Sequence, residues 1–252
     1  MTRITEIFSS NKKALMPFLV AGHPTIQSTE AAILAMDKAG ADIIEIGIPF
    51  SDPIADGPVI AAAMHEAIEN GVTPAHAIGV VSRIREQVSA GLIAMVSDSI
   101  VNRCGGSAFL ERLSEAGFDG IIIPDIDDLD AEELSAHCSR CGLTFTMLIS
   151  PTTPDERIAW LASISSGFLY VLARVGLTGE QSTLPDIASR ITQIRALTDL
   201  PLAVGFGIST REHVLSVTKS ADAAIVGSAL VRRMSDADDP TKAARDFVCE
   251  LS

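Results

Sequence analysis

Two carboxylates eleven residues apart, Glu45 and Asp56, lie in the stretch from Asp42 to Pro58, Asp-Ile-Ile-Glu-Ile-Gly-Ile-Pro-Phe-Ser-Asp-Pro-Ile-Ala-Asp-Gly-Pro. In an extended segment alternate side chains share a face, so Ile43, Glu45 and Gly47 point one way and Ile44, Ile46 and Ile48 the other. The all-isoleucine face suits packing against helices, which turns Glu45 toward an interior. An unpaired carboxylate there is costly to keep ionised, and burial raises its pKa toward the range of a general acid-base. A Glu that only pairs with a buried basic residue is the competing reading. Asp56 falls in a loop restricted by Pro49, Pro53, Gly57 and Pro58. Such a loop can hold a ligand-binding carboxylate, although an Asp just ahead of Pro58 also suits a helix start. Asp52 shares that ambiguity.

Toward the other end, Leu202 to Val204 opens into Gly205-Phe206-Gly207-Ile208-Ser209, and Ala223 to Val226 opens into Gly227-Ser228; a helical pattern follows each. Small residues at two adjacent strand ends let backbone N–H groups approach an anion, with helix N-terminal dipoles aimed at it. The alternative is glycine used for tight turns. Between Arg174 and a helix starting near Asp186, Gly176-Leu177-Thr178-Gly179 is polar and glycine-hinged, as a closing lid is; an ordinary surface loop reads the same way.

The elements that must position these groups form an alternation. Strands are expected at Pro17 to Ala21, Asp42 to Ile48, Leu92 to Val96, Gly120 to Ile123, Thr144 to Ile149, Phe168 to Leu172, Leu202 to Val204 and Ala223 to Val226. Helical patterns fall between them: Ser28 to Ala39, Val59 to Asn70, Pro74 to Ala90, Phe109 to Ala116, Ala131 to Arg140, Asp155 to Ser163, Asp186 to Leu197 and Thr210 to Val217. A long carboxy-terminal helical region follows, with a polar break at Ser235 to Pro240. Short Val/Ile/Leu runs bounded by Gly and Pro are the signature of strands covered on both faces. Eight of them favour a single (β/α)8 barrel over residues 1–252 with an extra N-terminal helix. A doubly wound sheet is the runner-up, but no Gly-x-Gly-x-x-Gly follows the first strand. In such barrels chemistry belongs to the carboxyl ends of the strands.

Composition excludes several classes. With 47% apolar and 20% charged residues the 252-residue chain can bury a large core, which rules out disorder for the bulk. A net charge of −13 argues against non-specific binding to nucleic acid or to an anionic membrane. No apolar run reaches the roughly 18 residues of a membrane span and no signal-peptide core opens the chain, so the expected location is the cytoplasm. Cys138 and Cys141 lack the second pair that a structural zinc site requires, and Cys104 and Cys249 are isolated; reduced thiols and no metal site are expected. The five histidines show no ligand spacing, and only His23 lies near a strand end. Trp160 reads as a helix-face packing residue.

Five segments together resemble the tryptophan synthase alpha subunit: Glu-Ile-Gly-Ile-Pro-Phe-Ser-Asp-Pro-Ile-Ala-Asp-Gly-Pro at 45–58, Pro-Thr-Thr-Pro-Asp-Glu-Arg at 151–157, Arg-x-Gly-x-Thr-Gly at 174–179, Gly-Phe-Gly-Ile-Ser at 205–209 and Gly-Ser-Ala at 227–229. The resemblance implies retro-aldol cleavage of indole-3-glycerol phosphate to indole and glyceraldehyde 3-phosphate, with no cofactor in this subunit. It also implies a pyridoxal-phosphate-dependent beta subunit as partner in an alpha2beta2 tetramer. By that resemblance Glu45 would be the acid-base at the indole ring carbon and glycerol hydroxyl, and Asp56 would hold the indole N–H. Thr178 would close against Asp56, Phe18 and Tyr170 would line the pocket, and Gly179, Gly207, Gly227 and Ser228 would hold the phosphate. The chain departs from the family pattern after the third strand, where Met95-Val96-Ser97-Asp98 stands in place of an aromatic Tyr and a nearby Asn-Pro. It departs again after Pro124-Asp125, which faces the partner in the family and here continues Ile126-Asp127-Asp128, and at Val175. Two further readings stay open: a free-standing lyase that releases indole, and a non-catalytic module that activates a beta subunit.

Overall fold

The computed structural model describes residues 2–10, 12–53, 56–173, 187–205 and 207–252. It opens with α1 (Arg3–Ser9), β1 (Ala14–Val20), α2 (Ile26–Lys38), β2 (Ile43–Gly47), α3 (Pro58–Glu69), α4 (Pro74–Ile84), β3 (Gly91–Met95), α5 (Asp98–Arg103), α6 (Ser107–Ala116) and β4 (Gly120–Ile122). It continues with α7 (Asp128–Cys141), β5 (Thr144–Thr146), β6 (Leu148–Ile149), α8 (Asp155–Ile164), β7 (Leu169–Leu172), α9 (Ala188–Arg195), β8 (Leu202–Gly205), α10 (Arg211–Thr218), β9 (Ala223–Val226), α11 (Ser228–Ser235) and α12 (Pro240–Leu251). Local chemistry sets the helix starts. Thr25 and Thr73 each accept a hydrogen bond from the backbone N–H three residues on, Thr210 and Asp239 do the same, and Pro58, Pro74 and Pro240 open their helices, where a missing N–H costs nothing.

All strand pairs are parallel, in the order β5-β4-β3-β2-β1-β9-β8-β7-β6. The two ends of that order are adjacent in sequence, so the sheet curls into a barrel. The strand expected over Thr144 to Ile149 is divided: β5 bonds to β4 and β6 bonds to β7. Side chains close this seam, because Phe145 and Met147 donate their N–H groups to the hydroxyls of Ser166 and Ser165 at 2.9 and 3.2 Å. Three other differences from the sequence reading have local causes. The helix expected to reach Ala90 ends at Ile84 in a short 3-10 turn, Arg85–Gln87. Arg85 there turns back to donate to the carbonyls of Val88 and Ala90. The polar break at Ser235 to Pro240 separates two helices rather than interrupting one. The short helix α5 carries no apolar periodicity long enough to be seen in the sequence.

Alternation divides each strand into an outer set that packs on helices and an inner set that fills the barrel. Met16, Ile43, Ile93, Ile122, Phe168, Tyr170, Ala203 and Ile225 form the interior cluster. The registers advance by about one residue per strand, so that Glu45, Ile122, Tyr170 and Ile225 come to one height from alternate strands, the layered filling of such barrels. At the amino end of the strands α1 acts as a plug: Ile4 is fully buried in the interior cluster with Ile7 and Phe8 against it. Phe8 stacks at a tilt on Phe168, ring centres 5.7 Å apart. Gly91 is what makes room, since a Cβ there would lie 2.4 Å from the Ile4 Cδ1.

The same end carries a repeated device. Asp42, Asp119 and Asp222 each stand just ahead of a strand, donate their backbone N–H to the carbonyl of Leu15, Leu92 or Leu202, and accept the N–H of that same leucine on the side-chain carboxylate at 2.8–2.9 Å. Lys12, Arg85 and Arg195 then pair with the three carboxylates. This face of the barrel is built for stability, which leaves the carboxyl end of the strands for chemistry.

Candidate active site

Phe18 on β1 and Glu45 on β2 are register partners, and both are buried. Gly47, one inward position further on, has no side chain because the Phe18 ring occupies that space: a Cβ would lie 2.6 Å from its Cζ. Across the barrel Gly205 plays the same part for Tyr170, whose hydroxyl oxygen would be 2.2 Å from a Cβ at that position. Two glycines thus fold two aromatic rings inward, into a chamber that contains Glu45.

Glu45 is completely buried. Among the described residues neither of its carboxylate oxygens has a hydrogen-bond partner. Desolvation alone raises its pKa from an ordinary 4.5 to about 8, with no basic group offsetting it. Among the described residues no basic group pairs with it, which disfavours the structural ion pair, and burial holds Glu45 as a neutral acid at pH 7. Asp56 is partly exposed; burial raises its pKa to about 6, which leaves it mostly ionised at the same pH. Both carboxylates act on the Tyr170 phenol, pushed well above its usual range first by burial and then by the charges of Glu45 and Asp56. The three groups share one electrostatic neighbourhood. Two carboxyls whose environments separate their protonation states are the arrangement from which acid and base roles are drawn.

Asp56 also lines a cavity of about 220 Å³ whose walls include Phe50, Met64, Met95, Val96 and Pro124. Ser97 and Asp125 are polar members of that lining. The sequence reading noted the altered stretch after the third strand and the one after Pro124-Asp125 separately, but it did not bring the two together. Their position directly after adjacent strands was the available signal.

The glycines proposed as anion holders stand at two neighbouring strand ends. Gly207 follows β8 with φ +84°, a conformation that disfavours side chains. Gly227 is the N-cap of α11, and Ser228, its first residue, is buried. Thr178 and Gly179, with the rest of the expected lid, lie outside the described residues. His23 is tied into the scaffold rather than the chamber: its Nδ1 faces Glu66 on α3 at 2.9 Å and its Nε2 faces Ser235 on α11 at 2.7 Å. Trp160 packs on the helical layer beneath the Arg157 guanidinium, 4.2 Å from its ring centre, and donates Nε1–H to Glu132. The four thiols are free, and burial pushes Cys138 up to about 12. Among the described residues no group of three or more His, Cys, Asp or Glu could hold a metal ion. Nor is any helix there long and apolar enough to cross a membrane.

Comparison with known proteins decides the lineage of this barrel. Residues 4–251 match the family described as tryptophan synthase alpha chain. The chain belongs to that family. Relatives include the tryptophan synthase alpha chain of Chloroflexus aggregans, 45% identical over 240 residues that cover 93% of this chain and 90% of the relative. That of Rhodopirellula baltica is 40% identical over 252 residues, covering 97% and 91%. Among solved structures, a chain of Mycobacterium tuberculosis tryptophan synthase superposes with a TM-score of 0.91 at 32% identity, covering 99% of this chain and 96% of that one. The tryptophan synthase alpha chain fold is thus a TIM barrel here as well, with Glu45, Phe18 and Tyr170 on its strands and Asp56 in the loop after β2, on the carboxyl side where such barrels carry chemistry.

Proposed function

We propose that the chain cleaves indole-3-glycerol phosphate to indole and glyceraldehyde 3-phosphate, as a carbon-carbon lyase of tryptophan biosynthesis. The observation that carries the reading is a pair of carboxyls held in opposite protonation states, both acting on Tyr170, one of which, Asp56, lines a largely apolar cavity. A cavity of roughly 150 Å³ accommodates benzene, and the one here, about 220 Å³, is large enough for a bicyclic ring.

Glu45, neutral at pH 7, gives its proton to ring carbon C3 of the indole. The ring nitrogen takes up positive charge, which ionised Asp56 stabilises by accepting the N–H. The side-chain hydroxyl next to the scissile bond then returns a proton to the Glu45 carboxylate. As the C–C bond breaks, its electron pair restores the neutral ring and the hydroxyl carbon becomes the aldehyde. The proton count closes and Glu45 ends as it began. General acid-base catalysis of this kind contributes about 10²- to 10⁴-fold, and a preorganised charge beside the developing cation adds to it.

In the same reading Gly207, Gly227 and Ser228, with Gly179, hold the phosphate through backbone N–H groups and the N-terminus of α11; Phe18 and Tyr170 line the chamber, and Thr178 closes over it. The chain needs no cofactor of its own, is cytoplasmic, and works with a pyridoxal-phosphate-dependent beta subunit in an alpha2beta2 tetramer. Leu129, 88% exposed at the start of α7, supports an occupied face there.

The test is the rate of glyceraldehyde 3-phosphate release from indole-3-glycerol phosphate by the purified chain, alone and with a beta subunit from the same source. A low rate that rises sharply with the partner supports the reading. A high rate indifferent to the partner makes the chain a free-standing lyase, and no Glu45-dependent release under either condition overturns the reading.

A further inference from the structure

Apart from Asp52 and Asp56, the described residues that line this cavity are apolar except where β3 and β4 end. There Ser97, which is buried, donates its hydroxyl proton to Asp125 Oδ2 at 2.6 Å. The other oxygen, Oδ1, accepts the backbone N–H of Asp98 at 2.9 Å, and Ser99 lies 3.1 Å from the Ser97 oxygen. Both residues line the cavity.

Counting donors and lone pairs gives this edge a definite character. The Ser97 proton is committed to Asp125, so Ser99 is the donor in the 3.1 Å contact and the Ser97 oxygen keeps one lone pair free. A carboxylate is also acceptor-only, with two sites on each oxygen, and each Asp125 oxygen has one neighbour so far. This stretch of wall therefore offers hydrogen-bond acceptors and no donor. Among the described residues, the other polar side chains lining the cavity are Asp52 and Asp56. Methionines at 64 and 95 supply deformable walls that can yield to one extra atom.

We infer that the Ser97–Asp125 pair is a specificity element for the substrate ring: it admits an indole-3-glycerol phosphate carrying a hydrogen-bond donor, such as a hydroxyl, on the benzo ring in preference to one carrying a methyl group of the same size. The inference rests on the indole assignment made above. Ser97 is buried and Asp125 exposed, so a ring seated here displaces water from both acceptors; a ring hydroxyl replaces the lost hydrogen bond, whereas a methyl group leaves the acceptors covered and unpaired. A purely apolar pocket has no such preference and discriminates weakly between the two.

The test uses the condensation direction, in which the aldehyde carbon of glyceraldehyde 3-phosphate bonds to indole C3 and the displaced ring proton ends on the new hydroxyl. The 4-, 5-, 6- and 7-hydroxyindoles are compared with the matching methylindoles and with indole itself, on the wild type and on Ser97→Ala and Asp125→Asn. At one ring position at least, the wild type shows a hydroxyl-to-methyl ratio of kcat/KM of about tenfold or more. Both substitutions collapse that ratio toward one. Direct titration of the same indoles, read by quenching of ligand fluorescence, reproduces the ordering in Kd. Ratios at or below one at every position, with indole itself turned over, overturn the specificity element and leave the lyase reading standing. Failure to condense indole at all removes both.

Discussion

Glu45 is the residue on which most depends, and its cost follows from its setting. A carboxyl whose folded pKa is raised from 4.5 to about 8 keeps its proton between those values while the unfolded chain has lost it. Stability therefore falls as pH rises through that window. At 1.36 kcal/mol per unit the penalty reaches at most about 5 kcal/mol. Glu45→Gln is expected to be more stable than the wild type above pH 8, with the gain shrinking toward zero at pH 4.5, as denaturant titrations at several pH values will show. The same substitution is expected to lower lyase kcat by about 10²-fold or more. Because Glu45 must start protonated and Asp56 ionised, kcat/KM, which reports the free enzyme, should follow a bell with limbs near 6 and 8. In Asp56→Asn the acid limb should vanish along with most of the activity.

At the level of elements, glycines and aspartates decide geometry that hydrophobic pattern does not touch. Gly205→Ala puts a Cβ 2.2 Å from the Tyr170 hydroxyl oxygen, so the ring must move out of the chamber. The expected result is a loss of at least tenfold in kcat/KM together with a lower Tm; adding Tyr170→Phe removes the nearest clashing atom and should recover part of that stability. The strands themselves were legible as apolar runs between Gly and Pro, and the inward turn of Glu45 followed from their alternation. The divided fifth strand was not legible. Thr144 to Ile149 is one apolar stretch in sequence, and its division reflects which neighbour each half finds when the barrel closes. The three clamping aspartates left a signal that periodicity overlooks: Ala41-Asp42, Phe118-Asp119 and Ala221-Asp222 each precede a strand. Only the folded chain shows that each carboxylate reaches a leucine N–H on the adjacent strand.

For the molecule as a whole, the two ends of the barrel are expected to respond differently to substitution. Ile4→Ala empties part of the plug under the interior cluster and should cost about 3 kcal/mol, or roughly 6–12 °C in Tm for a domain of this size. Its effect on kcat should be slight, since the chamber lies at the other end. Leu129→Asp, on the exposed start of α7, should leave the basal rate unchanged and weaken activation by a beta subunit several-fold, as a titration of one chain with the other will read. A neighbouring groove lined by Leu129, Pro154, Arg157 and Trp160 gives that face both apolar and charged contacts.

The sequence by itself determined the barrel, the family and the two carboxylates. Strand alternation, turn residues and ordered motifs are local properties that survive in one dimension. What the tertiary structure decided is how groups distant in sequence change one another. Desolvation of Glu45 needs Phe18, Tyr170 and the other strands closed around it. The joining of Ser97 to Asp125 across two loops needs β3 and β4 side by side. A pKa and a hydrogen bond are pairwise or many-body quantities, set by which atoms surround a group, and those neighbours exist only once the barrel has closed.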